Sequence, residues 1–334
     1  MNGLGRMRTW TAVAAFTVLA AGCGSGASTP RASASAVPPP PVGVPLATKL
    51  LQQYTAKSNA VTLDTVHALS RIEEPPASTA SQAGLTLAKA QKVKVPNRSF
   101  VTPGFVFPRV SGYPRYFLAT APQLQSDRVT PAPAYILFVK DRPSAPYRVA
   151  YYPLARGTDG LPALAEDSAH GEPAVASSEG LLAPPEALAK AYNDFAEGHR
   201  DSDVPLAPND ALNVDLAGIY TADAQELKSR GGELTRTLLP RVFPSYLLRT
   251  RDGGALAFTA VTVEDRMTPT SGTATVALDP DSPEAVMAGS PQGAHAPEYV
   301  IKRLEVYLSV IPPAAAPGTG VQLLGFSDFL LSVH

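Results

Sequence analysis

The spacing of hydrophobic residues along this chain changes from a helical repeat to a strand repeat, and this change constrains the fold more than any other feature. Residues 46–72 carry apolar side chains at helical intervals, and a weaker helical stretch follows at 78–92. The segments 113–120, 134–141 and 147–154 instead alternate, with β-branched and aromatic residues separated by Pro and polar residues. Helices followed by such a meander predict the α+β class, with helices packed on a curved antiparallel sheet.

The same order of patterns begins again in the second half of the chain. The segment 184–198 has the pattern of an amphipathic helix, with Pro near its start and Gly just past its end. A hairpin is predicted over 245–265, around the turn Asp252-Gly253-Gly254. Two further strands are predicted at 301–313 and 321–333.

A short internal echo supports reading the two halves as related. The sequence FPRVSGYPRYFLAT at 107–120 resembles LPRVFPSYLLRTRD at 239–252. We therefore expect two tandem α+β modules at 46–155 and 184–334, joined by a Gly- and Pro-rich linker at 156–183. The alternative is a chance similarity between two amphipathic strands.

The N-terminal residues have the character of an export signal. Arg6 and Arg8 precede an uncharged segment from Thr9 to Ala20, which is too short to span a membrane comfortably. The alternative is a buried N-terminal helix. From residue 23 to 45 the chain is rich in Gly, Ser, Ala and then Pro, which predicts a disordered tether.

The junction between these two segments, Leu19-Ala20-Ala21-Gly22-Cys23, resembles the lipobox of bacterial lipoproteins, although Leu is commoner than Ala at position 20. The resemblance implies that residues 1–22 are a signal peptide cleaved between Gly22 and Cys23. Cys23 would then carry a diacylglycerol and further acyl chains such as palmitate. Its partner would be membrane lipid, and the protein would be anchored on the extracytoplasmic face of the cell membrane.

Two wider resemblances concern the folded part. The order of helices and strands is similar to NTF2-like or cystatin-like modules. The chain also resembles an uncharacterised family of actinobacterial lipoproteins, in its lipobox, in LLQQYTAKSNAVTLD (50–64) followed by LSRIEE (69–74), and in LLRTRDGGALAF (247–258). These motifs look like scaffold, and the family implies no established activity.

Composition excludes several kinds of chemistry. Cys23 is the only cysteine, so thiol catalysis, CxxC redox chemistry and cysteine-bound zinc are excluded once it is acylated. The five histidines are far apart in sequence and form no HxxxH or HExxH pair, so no metal or other cofactor is predicted. The charges nearly balance, with 28 basic and 29 acidic residues and no basic cluster, which argues against nucleic-acid binding.

Two weak candidate sites remain. Asp279, Asp281 and Glu284 lie close together in LDPDSPE and could collect a hard cation, although a solvated turn is the simpler interpretation. In NTF2-like folds an acid beside a Tyr or His can lie in an apolar pocket, and Asp64 with Tyr54 is the best such pair here. Asp64 could equally cap the helical segment that follows it.

These observations favour a membrane-anchored lipoprotein of the cell envelope that acts as a non-catalytic binding or scaffold module. Its partner would be an envelope protein or a small ligand. The alternative is an envelope enzyme with an acid/base pair in an NTF2-like pocket. A deep pocket that holds an acid and a His or Tyr within hydrogen-bond reach would favour the enzyme.

Overall fold

A computed structural model describes residues 42–108, 110, 112–125, 128–156, 162–164, 177–270, 275–316 and 320–334. The predicted signal peptide, Gly22, Cys23 and almost all of the predicted tether lie outside these residues. In the part of the chain that is described, no helix is long and apolar enough to cross a membrane.

The first half begins with the predicted helices. Helix α1 spans Val44–Ala60, a 3-10 helix spans Leu63–Arg71, and α2 spans Ala77–Ala90. Helix α1 starts two residues before the predicted position, because Pro45 is compatible with the first turn of a helix, where no backbone N–H is needed. Val42 is already buried, so residues 42–45 belong to the folded part and not to the tether.

The first sheet is antiparallel and contains the predicted meander. Strands β3 (Arg115–Gln125), β4 (Arg128–Lys140) and β5 (Arg148–Tyr151) pair in sequence order. Two short strands that the hydrophobic pattern did not reveal, β1 (Arg98–Phe100) and β2 (Gly104–Val106), both pair with the outer side of β3. The edge of this sheet is therefore a broken strand.

The second half begins with α3 (Leu188–Ala196). A π-helical turn (Ala211–Leu216) then leads into α4 (Ala217–Ser229). Five strands form the second antiparallel sheet: β6 (Gly232–Val242), β7 (Tyr246–Arg249), β8 (Ala255–Pro269), β11 (Tyr299–Ile311) and β12 (Gln322–Val333). The predicted hairpin is confirmed, since β7 pairs with β8 around Gly253, whose φ of +87° favours glycine. Between β8 and β11 lie β9 (Val276–Ala277), α5 (Pro283–Met287) and β10 (His295–Ala296).

The two sheets have the same strand order. In the second sheet β6 and β7 share one side of β8, which is followed by β11 and β12, just as β1 and β2 share one side of β3. Strand β3 therefore corresponds by position to β8, whereas the sequence echo aligns β3 with β7. The structure confirms the α+β class. The assignment of each half to an NTF2-like or cystatin-like module stays a prediction.

The elements form four layers. Alternate residues of β3 and β4, such as Phe117 and Ile136, pack against α1. The opposite faces of the same strands pack against the inner face of the second sheet, where Leu118 and Leu137 share one cluster with Phe258. The outer face of the second sheet packs against α3 and the π-helical turn before α4. The inner faces of the two sheets therefore build one core from both halves of the chain.

Candidate functional site

A cavity of about 590 Å³ lies in the first half, between α1, α2, the end of the first sheet and β12. We call it the first cavity. Its wall is largely apolar, with Leu69, Leu85, Val306 and Phe329 among its lining residues. Helix α2 contributes small side chains to this wall, and a carbon atom added at Gly84 would meet no other atom within 4 Å. The sequence ASTASQAGLTLAKA of α2 thus leaves space where larger side chains would fill the cavity.

A buried acid stands behind one wall of this cavity. Glu73 is 1% exposed and Tyr54 is 3% exposed. The Tyr54 hydroxyl donates to Glu73 Oε1 at 2.9 Å, and the Ser81 hydroxyl donates to the same oxygen at 3.0 Å. Glu73 Oε2 is buried without a hydrogen-bond partner among the described residues. Burial raises the pKa of Glu73, which favours the neutral carboxyl group.

The cation of the cavity is Arg98, which is only partly buried. Asn59 fixes its backbone, donating through Nδ2 to the Arg98 carbonyl at 2.8 Å and accepting from the Arg98 N–H at 3.1 Å. The guanidinium donates from Nη2 to the Tyr54 hydroxyl oxygen at 3.2 Å and lies 4.8 Å from the ring centroid of Tyr152. The Tyr152 hydroxyl in turn donates to Gln123 Oε1. Within the described ranges, no carboxylate oxygen lies within 4 Å of the Arg98 side-chain nitrogens.

A second cavity of about 270 Å³ lies between α4, α5 and the outer face of the second sheet. A row of charged residues of both signs crosses the sheet there, with Arg236 on β6, Asp265 on β8, Arg303 and Glu305 on β11, and Asp328 on β12. The register makes this row, since Arg236 pairs with Asp265 and Glu305 pairs with Asp328 across neighbouring strands. We call these five residues the ionic row.

The charges of the ionic row are mutually paired. Arg236 donates to Asp265 through Nε at 2.7 Å and Nη2 at 3.1 Å, and its Nη1 lies 2.8 Å from Glu305 Oε1. Arg303 donates from Nη1 to Asp328 Oδ2 at 2.7 Å. Burial raises the pKa of Glu305 and that of Asp328, while the neighbouring arginines favour their charged forms. This cluster is therefore saturated by its own contacts and leaves little for a ligand to satisfy.

The structure places Tyr54 at the first cavity but does not bring Asp64 to it. Asp64 is exposed, in the first turn of the 3-10 helix. The expected pair is corrected to Tyr54 and Glu73, because Asp64 lies on the exposed side of the 3-10 helix, whereas Glu73 is buried within hydrogen-bond distance of Tyr54. The capping alternative also needs correction. Thr62 is the N-cap residue, and its N–H donates to the Thr65 hydroxyl at 2.9 Å.

The three acids of LDPDSPE do not converge on a common point. Asp279 accepts from Arg230, and Glu284 Oε1 accepts from Arg303 at 2.5 Å. Asp281 is exposed with a φ of +61° in a turn. No group of three potential metal ligands occurs in the described parts of the chain. Arg230 and Arg303 thus pair with two of the three carboxylates that a metal cation would need as ligands.

Sequence reasoning missed Glu73 and Arg98. Glu73 follows a helical segment as the first acid of LSRIEE, and Arg98 stands alone after a Pro in KVPNRSF. Neither has a partner at a local spacing, since the contacts are made with residues of α1, α2 and the first sheet. A buried position for Glu73 could have been suspected only from its place next to Ile72.

Comparison with known proteins gives one family. The family model described as a domain of unknown function, DUF8094, matches residues 42–332. No curated protein and no solved structure matches the chain. The match begins where the folded part begins and includes both sheets and both cavities. The chain belongs to the DUF8094 family.

Proposed function

We propose that this protein is a lipoprotein of the bacterial cell envelope, anchored through Cys23 on the extracytoplasmic face of the membrane. Its folded part binds a small ligand in the first cavity and does not catalyse a reaction. The tether between Cys23 and the fold holds this cavity away from the membrane surface.

The first cavity carries the proposal of ligand binding. Its volume of about 590 Å³ falls in the range of small-molecule sites, and its largely apolar wall with a few polar groups is typical of them. Arg98 is the cation among its lining residues, which also include the polar side chains of Asn97, Gln125 and Asp328. Glu73 and Tyr54 are almost fully enclosed by protein atoms, so the acid supports the wall and does not meet the ligand.

The anchor is supported by the order of segments at the N-terminus. A basic start, a short apolar segment, small residues and Cys23 precede the Pro-rich tether, and the family model begins only at residue 42. Metabolic labelling with an alkyne fatty acid tests this part. We expect label on the wild-type protein and none on Cys23→Ser. Label on the variant would refute the anchor.

Ligand binding is tested with the mature chain carrying Cys23→Ser, which needs no detergent that could occupy the cavity. The probe is N-phenyl-1-naphthylamine, an uncharged apolar fluorophore. Gly84→Leu places a side chain in the open space without a backbone clash, and it improves helix propensity by about 1 kcal/mol. Gln82→Leu is the matched control, because Gln82 is exposed on the same helix and does not line the cavity.

We expect saturable probe binding in the Cys23→Ser protein and in the Gln82→Leu control. Gly84→Leu should bind the probe weaker by on the order of tenfold, while its melting temperature is unchanged or higher. Absence of saturable binding, or equal affinity in Gly84→Leu, would refute the cavity as the ligand site.

The second candidate, an envelope enzyme, is favoured by one observation. The Tyr54 hydroxyl and Glu73 Oε1 are 2.9 Å apart at the wall of a deep pocket, which is the geometry of an acid/base pair. Catalysis would require a movement that exposes Glu73. Chemical conversion of a co-purified ligand by the wild type, lost in Glu73→Gln, would support the enzyme over the binding module.

A further inference from the structure

The charge balance of the first cavity distinguishes between classes of ligand. Arg98 is the cation that faces the space, and two acids border it. Glu73 Oε1 is already occupied by the hydroxyls of Tyr54 and Ser81, and burial favours its neutral form. Asp328 pairs with Arg303 at 2.7 Å. Neither acid lies within ion-pair distance of the Arg98 guanidinium, and the charge of Glu73 acts on it only from further away.

The orientation of Arg98 is fixed before any ligand arrives. Its backbone is held by Asn59, and its guanidinium donates a hydrogen bond to the Tyr54 hydroxyl. The ring of Tyr152 lies beside the guanidinium at 4.8 Å. A planar guanidinium that is held in place and partly desolvated is the group proteins use for two-point recognition of carboxylate and phosphate.

The rest of the cavity suits an apolar body. Leu69 and Leu85 line it, and the small residues Ala77, Ala80 and Gly84 leave an unobstructed surface along α2. An aliphatic or aromatic group placed there would remove apolar surface from water on both partners, which contributes about 25 cal/mol per Å².

We propose that the ligand of the first cavity is an amphipathic anion, whose single carboxylate or phosphate head pairs with Arg98 and whose apolar body lies along the small-residue face of α2. This inference rests on the proposed function, since it names the ligand class for the same cavity. It excludes cationic amphiphiles and gives neutral ones a lower affinity.

The test is displacement of bound N-phenyl-1-naphthylamine by four ligands of one chain length: decanoate, decyl phosphate, decanol and decyltrimethylammonium. Each is titrated into the mature Cys23→Ser chain, below its critical micelle concentration. Arg98→Gln is the test variant, and Arg115→Gln is the control because Arg115 lies outside the first cavity. Melting temperature and probe affinity confirm that each variant folds.

We expect the concentration of anion needed to displace the probe to be lower than the concentration of decanol needed, by on the order of tenfold or more. This preference should disappear in Arg98→Gln and persist in Arg115→Gln, and the better of the two anions identifies the head group. If Arg98→Gln does not fold, the salt dependence of displacement is the test instead. Raising the salt concentration from about 0.05 to about 0.5 M should reduce the preference of the Cys23→Ser protein for an anion over decanol.

Three outcomes would overturn the inference and leave the proposed function standing. In the first, decanoate, decyl phosphate and decanol displace the probe equally well. In the second, decyltrimethylammonium displaces it best. In the third, Arg98→Gln still prefers an anion. If the uncharged probe itself does not bind, the proposed function fails at the earlier step. The two failures are therefore distinguishable.

Discussion

Removing Arg236, the cation of the ionic row on β6, should cost a large part of the stability of this fold. The side chain of Arg236 is 6% exposed and makes three close contacts with two carboxylates, those of Asp265 (7% exposed) and Glu305 (2% exposed). Arg236→Met keeps much of the apolar volume and removes the charge. Asp265 retains Arg303, whose Nε lies 3.3 Å from it, so the uncompensated charge falls mainly on Glu305.

The expected loss for Arg236→Met is about 3 to 5 kcal/mol in the free energy of unfolding at pH 7, the usual cost of breaking a buried ion pair from one side. A second variant, Arg236→Met with Glu305→Gln, should recover part of it, because the orphaned charge is then gone. Arg266→Met is the control. The side chain of Arg266 is 45% exposed and forms ion pairs with Glu264 and Glu298. Its removal should therefore lower the free energy of unfolding by less than about 1 kcal/mol.

Urea unfolding followed by circular dichroism measures these differences, and its pH dependence gives a second check. In Arg236→Met the folded-state pKa of Glu305 lies above its unfolded value, because burial raises it and the neighbouring cation is gone, so the destabilisation grows with rising pH and shrinks as the pH falls toward about 4.5. A loss below about 1 kcal/mol, or a loss that grows on acidification, would refute the reasoning that the row is held together by Arg236.

Two further predictions concern the raised pKa of Glu74 and a close backbone approach at Gly325. Burial raises the pKa of Glu74 to about 7, and the charge of Asp141 is the second cause. The stability that this raised pKa contributes is therefore fully present below about pH 4.5 and is lost as the pH rises through about 7. Asp141→Asn should lower the pKa of Glu74 in carboxyl ¹³C NMR titrations and reduce this pH dependence, and an unchanged value would assign the shift to burial alone. Gly325→Ala would place a carbon atom against the Leu154 carbonyl oxygen, so it should lower the unfolding free energy by about 1 to 3 kcal/mol. Gly84→Ala, at an open position, should not lower it, and equal melting temperatures for both variants would contradict the steric account.

The elements with strong periodicity could be predicted from the sequence. Strands β11 and β12 and helix α1 have continuous apolar patterns and begin within two residues of the predicted positions, whereas β4 begins six residues before its predicted start. Strand β6 was missed because Arg236 lies between Leu234 and Leu238 on the face that packs against the helices and breaks the apolar pattern. Only the acids of two neighbouring strands make that position suitable for a charge, and their register is not visible in the sequence.

The candidate site was predicted in part for the same reason. Tyr54 was identified because it lies on the inner face of a clear helix. Its partner was predicted as Asp64, and Glu73 was missed, since local spacing does not show which acid the 3-10 helix between them leaves exposed. Arg98 lies on a three-residue strand whose pairing with β3 depends on the whole first sheet. The positions of Glu73 and Arg98 at the cavity thus depend on contacts between residues distant in sequence, which local patterns do not show.

The sheet edges restrict how a partner can bind. In the first sheet one edge is the broken pair β1 and β2, and β5 is covered by residues 72–74, which hydrogen-bond to Val149. In the second sheet β12 is bordered by α2 and α5, and β6 carries charged residues and ends near Pro240. Short, covered or charged edges resist the addition of a strand from another chain. A protein partner would therefore have to recognise side-chain surfaces and not extend either sheet, and neighbouring copies of this chain are kept from associating edge to edge.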